Sequence, residues 1–151
     1  MPEGGFEISF DLEVEHSPDD VFAFLVDTAR LRELDDALVG YGPGGPLSAG
    51  STGWFRHRRG GMTARTTFAV TEFEPARRLV VQITGMGYAM TESAFLEESP
   101  VGTHARFVDR VWPTSVPGRL LVALSGGIMR RDLAKRATRM RALLGRDAAR
   151  S

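Results

Sequence analysis

Asp109 is the residue whose position packing explains least. In Phe107-Val108-Asp109-Arg110-Val111 it shares the two-residue alternation of Phe107 and Val111, so a strand here turns a carboxylate toward the face that should be apolar. Burying a carboxylate unpaired is costly, so it must be hydrogen-bonded, paired with a cation or reached by water. It could orient a ligand hydroxyl or act as a base with a raised pKa. The plainer reading pairs it with Arg106, Arg110 or an arginine of the C-terminal segment. His57 is the second candidate, because it shares the phase of Phe55 and so sets an imidazole, suited to proton transfer near neutral pH, beside an aromatic ring. The opposite phase, Trp54, Arg56 and Arg58, would turn Trp54 inward instead, and alternation leaves both open. Tyr88 is the third: with Met90 it forms one phase of its strand, while Thr91, Ser93 and Phe95 form the other.

These three are weak candidates for catalysis, because no nucleophile or orienting acid accompanies them. The chain has no cysteine, which removes disulfides, thiolate metal sites and a cysteine nucleophile. His16, His57 and His104 are too scattered for a local ligand pair, so no metal is expected. Ser51, Ser93, Ser115 and Ser125 sit in no nucleophile-elbow motif, and no dinucleotide or Walker sequence occurs. No cofactor is expected either.

The elements that must position these residues are legible from periodicity. Phe6, Ile8, Phe10, Leu12 and Val14 alternate with polar residues as a strand with one buried face. Ser17-Pro18-Asp19-Asp20 reads as a helix start, followed by Val21, Phe22, Leu25 and Val26 at helical spacing. A second short helical turn passes through Leu31 and Leu34. The stretch Gly40 to Pro46, with Tyr41 inside it, reads as a loop able to gate a cavity. From Ser51 to Trp112 the period is two, and turn residues cut the run into strands at 51–58, 62–73, 77–84, 88–97 and 103–112. A helix of about 28 residues closes the chain, with Leu120, Leu124, Ile128, Ala134, Ala137, Met140 and Leu144 near one stripe. Gly126-Gly127 in its first third predicts a kink or a close backbone approach. The whole is an α+β chain of 151 residues, expected to form a single domain over 1–151.

Several segments in this order resemble the helix-grip proteins of the Bet v 1/START superfamily, in particular its bacterial polyketide cyclase/dehydrase and lipid transport (SRPBCC) branch. They are Ser17-Pro18-x-x-Val21-Phe22 with Asp27, Gly50 to Arg58, Val70 to Pro75 with Arg77-Arg78-Leu79, Gly102-Thr103, and the amphipathic terminal helix. The resemblance implies a curved antiparallel sheet of about six or seven strands wrapped around the long helix. It also implies an apolar cavity between them for a lipid, polyketide or related aromatic. Relatives include both carriers and aromatase/cyclases, so binding of a hydrophobic small molecule is the leading expectation and polyketide cyclisation or dehydration the alternative.

Alternation then proposes the inward side chains. On the sheet these are Phe6, Ile8, Phe10 and Leu12; Met62, Ala64, Thr66, Phe68 and Val70; Leu79, Val81 and Ile83; and Thr103, Ala105, Phe107 and Val111, most of them simply core. Arg65 falls on the convex side. The expected ligand-binding set draws on Phe55, His57, Phe68, Ile83, Tyr88, Met90, Phe95, Phe107 and Asp109 from the sheet, with Leu124 and Met129 from the helix.

Lys+Arg 19 balances Asp+Glu 19, but the charges are segregated: residues 1–40 hold eleven acids and two bases, and residues 130–151 hold eight bases and two acids. These read as two solvated patches that leave a homodimer open. Nucleic-acid binding by the basic helix is not expected, since no RNA-platform motif accompanies it. Met1 to Gly5 lack the basic start of a signal peptide, and the longest apolar run, Leu120 to Leu124, falls far short of the ~20 residues of a membrane span. A soluble, cytoplasmic protein without membrane insertion is the expectation.

Overall fold

The computed structural model describes residues 4–150; residues 1–3 and 151 of the expected 1–151 domain lie outside them. Strand β1 (Phe6–Val14) leads into helix α1 (Pro18–Val26), a 3-10 turn (Thr28–Arg30) and the short helix α2 (Leu31–Leu34). Strands β2 (Leu38–Gly42), β3 (Thr52–Arg59), β4 (Met62–Glu74), β5 (Arg78–Thr84), β6 (Tyr88–Ser99) and β7 (Gly102–Pro113) follow, and helix α3 (Val116–Arg150) ends the chain. All seven strands join one curved antiparallel sheet in the order β1-β7-β6-β5-β4-β3-β2. Five successive antiparallel pairings build β2 to β7, and β1 is laid beside β7 by the crossover through α1 and α2. The helix-grip architecture expected from the sequence is the one observed.

Local chemistry accounts for the element ends. Ser17 caps α1 by accepting the Asp20 N–H at 3.2 Å, and Pro18, Asp19 and Asp20 fill the first turn, where a missing N–H and negative charge are both favourable. In β1 the alternation becomes burial of Ile8, Leu12 and Val14 against exposure of Glu7, Asp11 and Glu13. A bulge between Val70 and Glu72 resets the phase of β4, and beyond it Phe73 meets Phe22 of α1 edge-on at 5.2 Å. Phe10 stacks on Phe107 at 4.8 Å, Phe55 on Phe68 at 4.6 Å, and both pairs join the core between the sheet and the helices.

Three expectations need correction. The glycines at 40 and 42 belong to edge strand β2 rather than to a loop, because a Cβ at Gly42 would sit 2.7 Å from the Trp54 indole nitrogen; glycine here admits a ring, not a bend. The connection after β2 is fastened by Thr28 Oγ1 donating to the Gly45 carbonyl at 2.7 Å and Leu47 N–H to the Val26 carbonyl at 2.8 Å. Met62 and Ala64 hold the inward phase yet lie exposed, because the β3–β4 hairpin extends past the helices that would cover it.

The third correction concerns α3, which runs 35 residues: Met140 and Leu144 of the expected stripe are buried, but the N-terminal half turns a different face inward. Val122, Leu133, Met140, Leu143 and Leu144 are buried, whereas Leu120, Leu124 and Ile128 are 65, 71 and 55% exposed. Contacts at its two ends fix that rotation. Gly118 packs so closely on the Gly87 carbonyl that a Cβ there would lie 1.8 Å from the oxygen, and His16 Nε2 meets the Leu144 carbonyl at 2.6 Å.

Gly126 and Gly127 face open space inside an unbroken helix, so the expected close approach is not there. Alanine substitution should therefore act with opposite signs in one helix. Gly126→Ala or Gly127→Ala should add about 1 kcal/mol each from helix propensity. Gly118→Ala should lower stability despite the same propensity gain, because the 85–87 turn must move. Denaturant titrations of the three variants test this, and a stabilised Gly118→Ala would contradict the close packing.

Candidate functional site

Between the sheet and α3 lie two adjoining lobes of about 150 Å³ and about 280 Å³. The first is walled by Phe10, Leu25, Leu34, Leu47, Phe55 and Phe107, and the second by Thr66, Tyr88, Met90, Val122, Met129 and Ile128. Asp35, His57, Ile83, Glu92, Asp109, Leu133 and Arg136 line both. Five of these seven carry polar or charged groups, so a polar belt separates two apolar ends.

Each belt residue arrives from a different element. Asp35 ends α2, where its Oδ1 also accepts the Ala37 N–H at 2.9 Å. His57 points inward from β3 in the Phe55 phase, while Trp54 faces the other way, with the Arg65 guanidinium 5.0 Å from its ring centre. The ambiguity of that strand is thereby settled in favour of the imidazole. Glu92 and Asp109 are directly paired across β6 and β7, and Arg136 comes down from α3 on the Met129, Leu133, Met140 stripe.

Arg136 binds the belt together. Its Nη1 donates to Glu92 Oε1 at 3.1 Å and its Nη2 lies 3.9 Å from Asp35 Oδ2, which in turn is 3.2 Å from His57 Nε2. The Glu92 charge above all keeps the guanidinium protonated, against its burial. Burial pushes the Asp35 carboxyl up, but His57, the Ala37 N–H and Arg136 together outweigh it and hold Asp35 down at about 2. Asp109 goes the other way: burial first, then the neighbouring Glu92 charge, raise it to about 8 against the pull of Arg136. The shift favours the carboxylic acid near neutral pH, which makes Asp109 a hydrogen-bond donor within the belt. No hydrogen bond or ion pair to it is found among the described residues. Thr66 Oγ1, also buried in the second lobe, has no hydrogen-bond partner.

The sequence profile of the polyketide cyclase/dehydrase and lipid transport family matches residues 6–145. The chain belongs to that family. No curated protein sequence matches it. Among solved structures it is similar to a protein of unknown function from Staphylococcus aureus (TM-score 0.74, 11% identity, 96% of each chain). It is also similar to an uncharacterized protein from Rhizobium leguminosarum (0.72, 14%, 94% of this chain and 95% of that one). A third similar structure is Ara h 8.0201, of the Bet v 1-like fold (0.68, 13%, 93% and 97%). Identities this low carry the fold alone.

Asp109, His57 and Tyr88 thus line one continuous cavity, with Phe55, Ile83, Met90, Phe107 and Met129. Phe68 lies behind Phe55 in the core and is not on the cavity wall. Phe95 is off it as well: it occupies the other phase of β6, under the Arg78 guanidinium at 5.5 Å. Leu124 faces away because α3 is rotated from the expected stripe. Sequence reasoning missed Asp35, Glu92 and Arg136. Glu92 was in phase with Tyr88 and Met90, and Arg136 stands three and four residues from Leu133 and Met140, but Asp35 at a helix end gave no periodic signal.

The belt makes stability pH-dependent with a definite sign. Folded, Asp109 keeps its proton to about pH 8; unfolded, it loses it near 4, so the unfolded chain binds fewer protons across that window. Its contribution therefore falls as pH rises from about 4 to about 8, by at most about 1.4 kcal/mol per pH unit. Asp35 has the opposite sign: its contribution is present above about pH 4 and is lost as pH falls through about 2. Asp109→Asn should thus gain on the wild type between about pH 5 and pH 8 in paired thermal melts. Parallel curves would mean that Asp109 is ionised throughout.

Proposed function

We propose that the chain binds a neutral hydrophobic molecule, a lipid, polyketide or related aromatic, between the sheet and α3, and orients it by an oxygen atom of the ligand. The observation that carries this reading is a pair of polar groups on the wall of the second lobe: the Thr66 hydroxyl, buried without a hydrogen-bond partner, and the Asp109 carboxyl, which burial and the Glu92 charge favour in its protonated, donor form. Buried donors are nearly always satisfied, so a site that keeps two in reserve fits a ligand that supplies the acceptor. Membership of a family described by lipid transport and polyketide chemistry supports the apolar class of ligand. Nile red, a neutral aromatic carbonyl compound, should bind with the blue shift of an apolar site. Asp109→Leu should weaken it about tenfold, the worth of one buried hydrogen bond, and Asp109→Asn, which keeps a donor, should weaken it less. Absence of binding, together with no neutral apolar molecule in native mass spectra of the purified protein, would overturn the reading.

A second reading is favoured by one observation: the His57–Asp35 contact at 3.2 Å and the protonated Asp109 share the same cavity. This supports a reading in which His57 would act as a base oriented by Asp35 and Asp109 as a separate acid, the combination acid–base catalysis needs. On a β-hydroxy ketone, His57 would take the α-proton while Asp109 protonates the departing hydroxyl, which leaves as water. An aryl β-hydroxy ketone should then give its conjugated enone, read by ultraviolet absorbance, and His57→Ala should abolish the rate. An unaccelerated reaction leaves the protein a carrier.

A further inference from the structure

The N-terminal half of α3 is apolar on two faces. Val122, Met129 and Leu133 pack inward. On the outward side Val116, Leu120, Leu124 and Ile128 follow at four-residue steps, 76, 65, 71 and 55% exposed, with Leu121 beside them at 48%. Consecutive members of this ridge lie about one turn apart, and together they run about 18 Å along the helix. A contiguous apolar patch of this extent, rimmed by charge, marks an interaction site.

The rim has one sign. Arg119, Arg130, Arg131 and Lys135 are exposed around or just beyond the ridge, and the one acid between 116 and 144, Asp132, is half-buried on the cavity side. Leu121 and Ile128 belong to both features: they line the second lobe and are half-exposed, so the ridge borders the place where that lobe reaches the surface.

We infer that this face of α3 rests on an anionic phospholipid surface. The apolar ridge enters the boundary between headgroups and acyl chains while the flanking cations meet the phosphates, the pattern of a helix lying in the membrane plane. No described helix is long and apolar enough to cross a membrane, so the contact is peripheral. A second copy fits less well, because a two-fold contact through the ridge would bring two basic rims together with no acid on that face to pair them.

The test is co-sedimentation of the full chain, without added ligand, with phosphatidylcholine vesicles containing a third phosphatidylglycerol. It should sediment with these and not with phosphatidylcholine alone, and high salt should release it. Leu124→Glu should reduce partitioning at least about tenfold, and Arg131→Glu with Lys135→Glu should do so by a similar factor. Both variants change exposed residues away from the cavity wall, and an unchanged circular dichroism spectrum with intact nile red binding separates loss of docking from loss of fold. Absence of sedimentation, or sedimentation indifferent to Leu124→Glu, overturns the inference. So does a dimer by light scattering that Leu124→Glu converts to monomer, since a second copy then covers the ridge.

Discussion

One guanidinium organises the interior. Arg136 reaches from α3 to Glu92 on β6 and to Asp35 at the end of α2, and through Asp35 it touches His57 on β3. Removing it would leave two half-buried carboxylates without their cation, which is why breaking such a group costs more than never having built it. The belt is not an economical way to hold a sheet to a helix; apolar side chains of the same volume would serve as well or better. Its presence in the cavity is therefore better explained by what the cavity must recognise than by what the fold requires.

The state of Asp109 is set by burial and by the same cluster of charges. Glu92 and Asp109 face each other across neighbouring strands, where like charges repel, and Arg136 lies within hydrogen-bond reach of the first. Burial first, and then the Glu92 charge, outweigh the pull of Arg136, and the second carboxyl holds its proton. The polar belt thus divides the work among its acids: Glu92 accepts a hydrogen bond from Arg136, Asp35 is held well below the usual carboxylate range, and Asp109 is raised toward its neutral, donor form. Such a division of otherwise similar groups by environment is how binding and acid–base sites are made.

The fold was legible because the strand periodicity is strong: β1 alternates without interruption, and Ser17-Pro18 starts a helix as their chemistry demands. The site was legible only in part. Asp109 showed itself by breaking an apolar phase, and His57 by sharing one with Phe55. Glu92 and Arg136 were hidden because charged residues on a half-wet strand and a basic helix look like surface. The rotation of α3 could not be read at all, since Leu120, Leu124 and Ile128 make as good a stripe as Val122, Met129 and Leu133. Only the tertiary contacts at Gly118 and Leu144 choose between them.

The charge state of the belt also constrains what can enter. An ionised fatty acid would need a cation inside the cavity, and among the described lining residues the permanent one is Arg136, already shared by Glu92 and Asp35. Its carboxylate would compete with those half-buried partners for one guanidinium and weaken an ion pair already made. A neutral carbonyl or hydroxyl displaces nothing: it takes a hydrogen bond from Asp109 or Thr66 and lays its apolar remainder into either lobe. On the proposed reading the cavity would discriminate by charge before shape, and it would do so through a residue, Arg136, that need not touch the ligand.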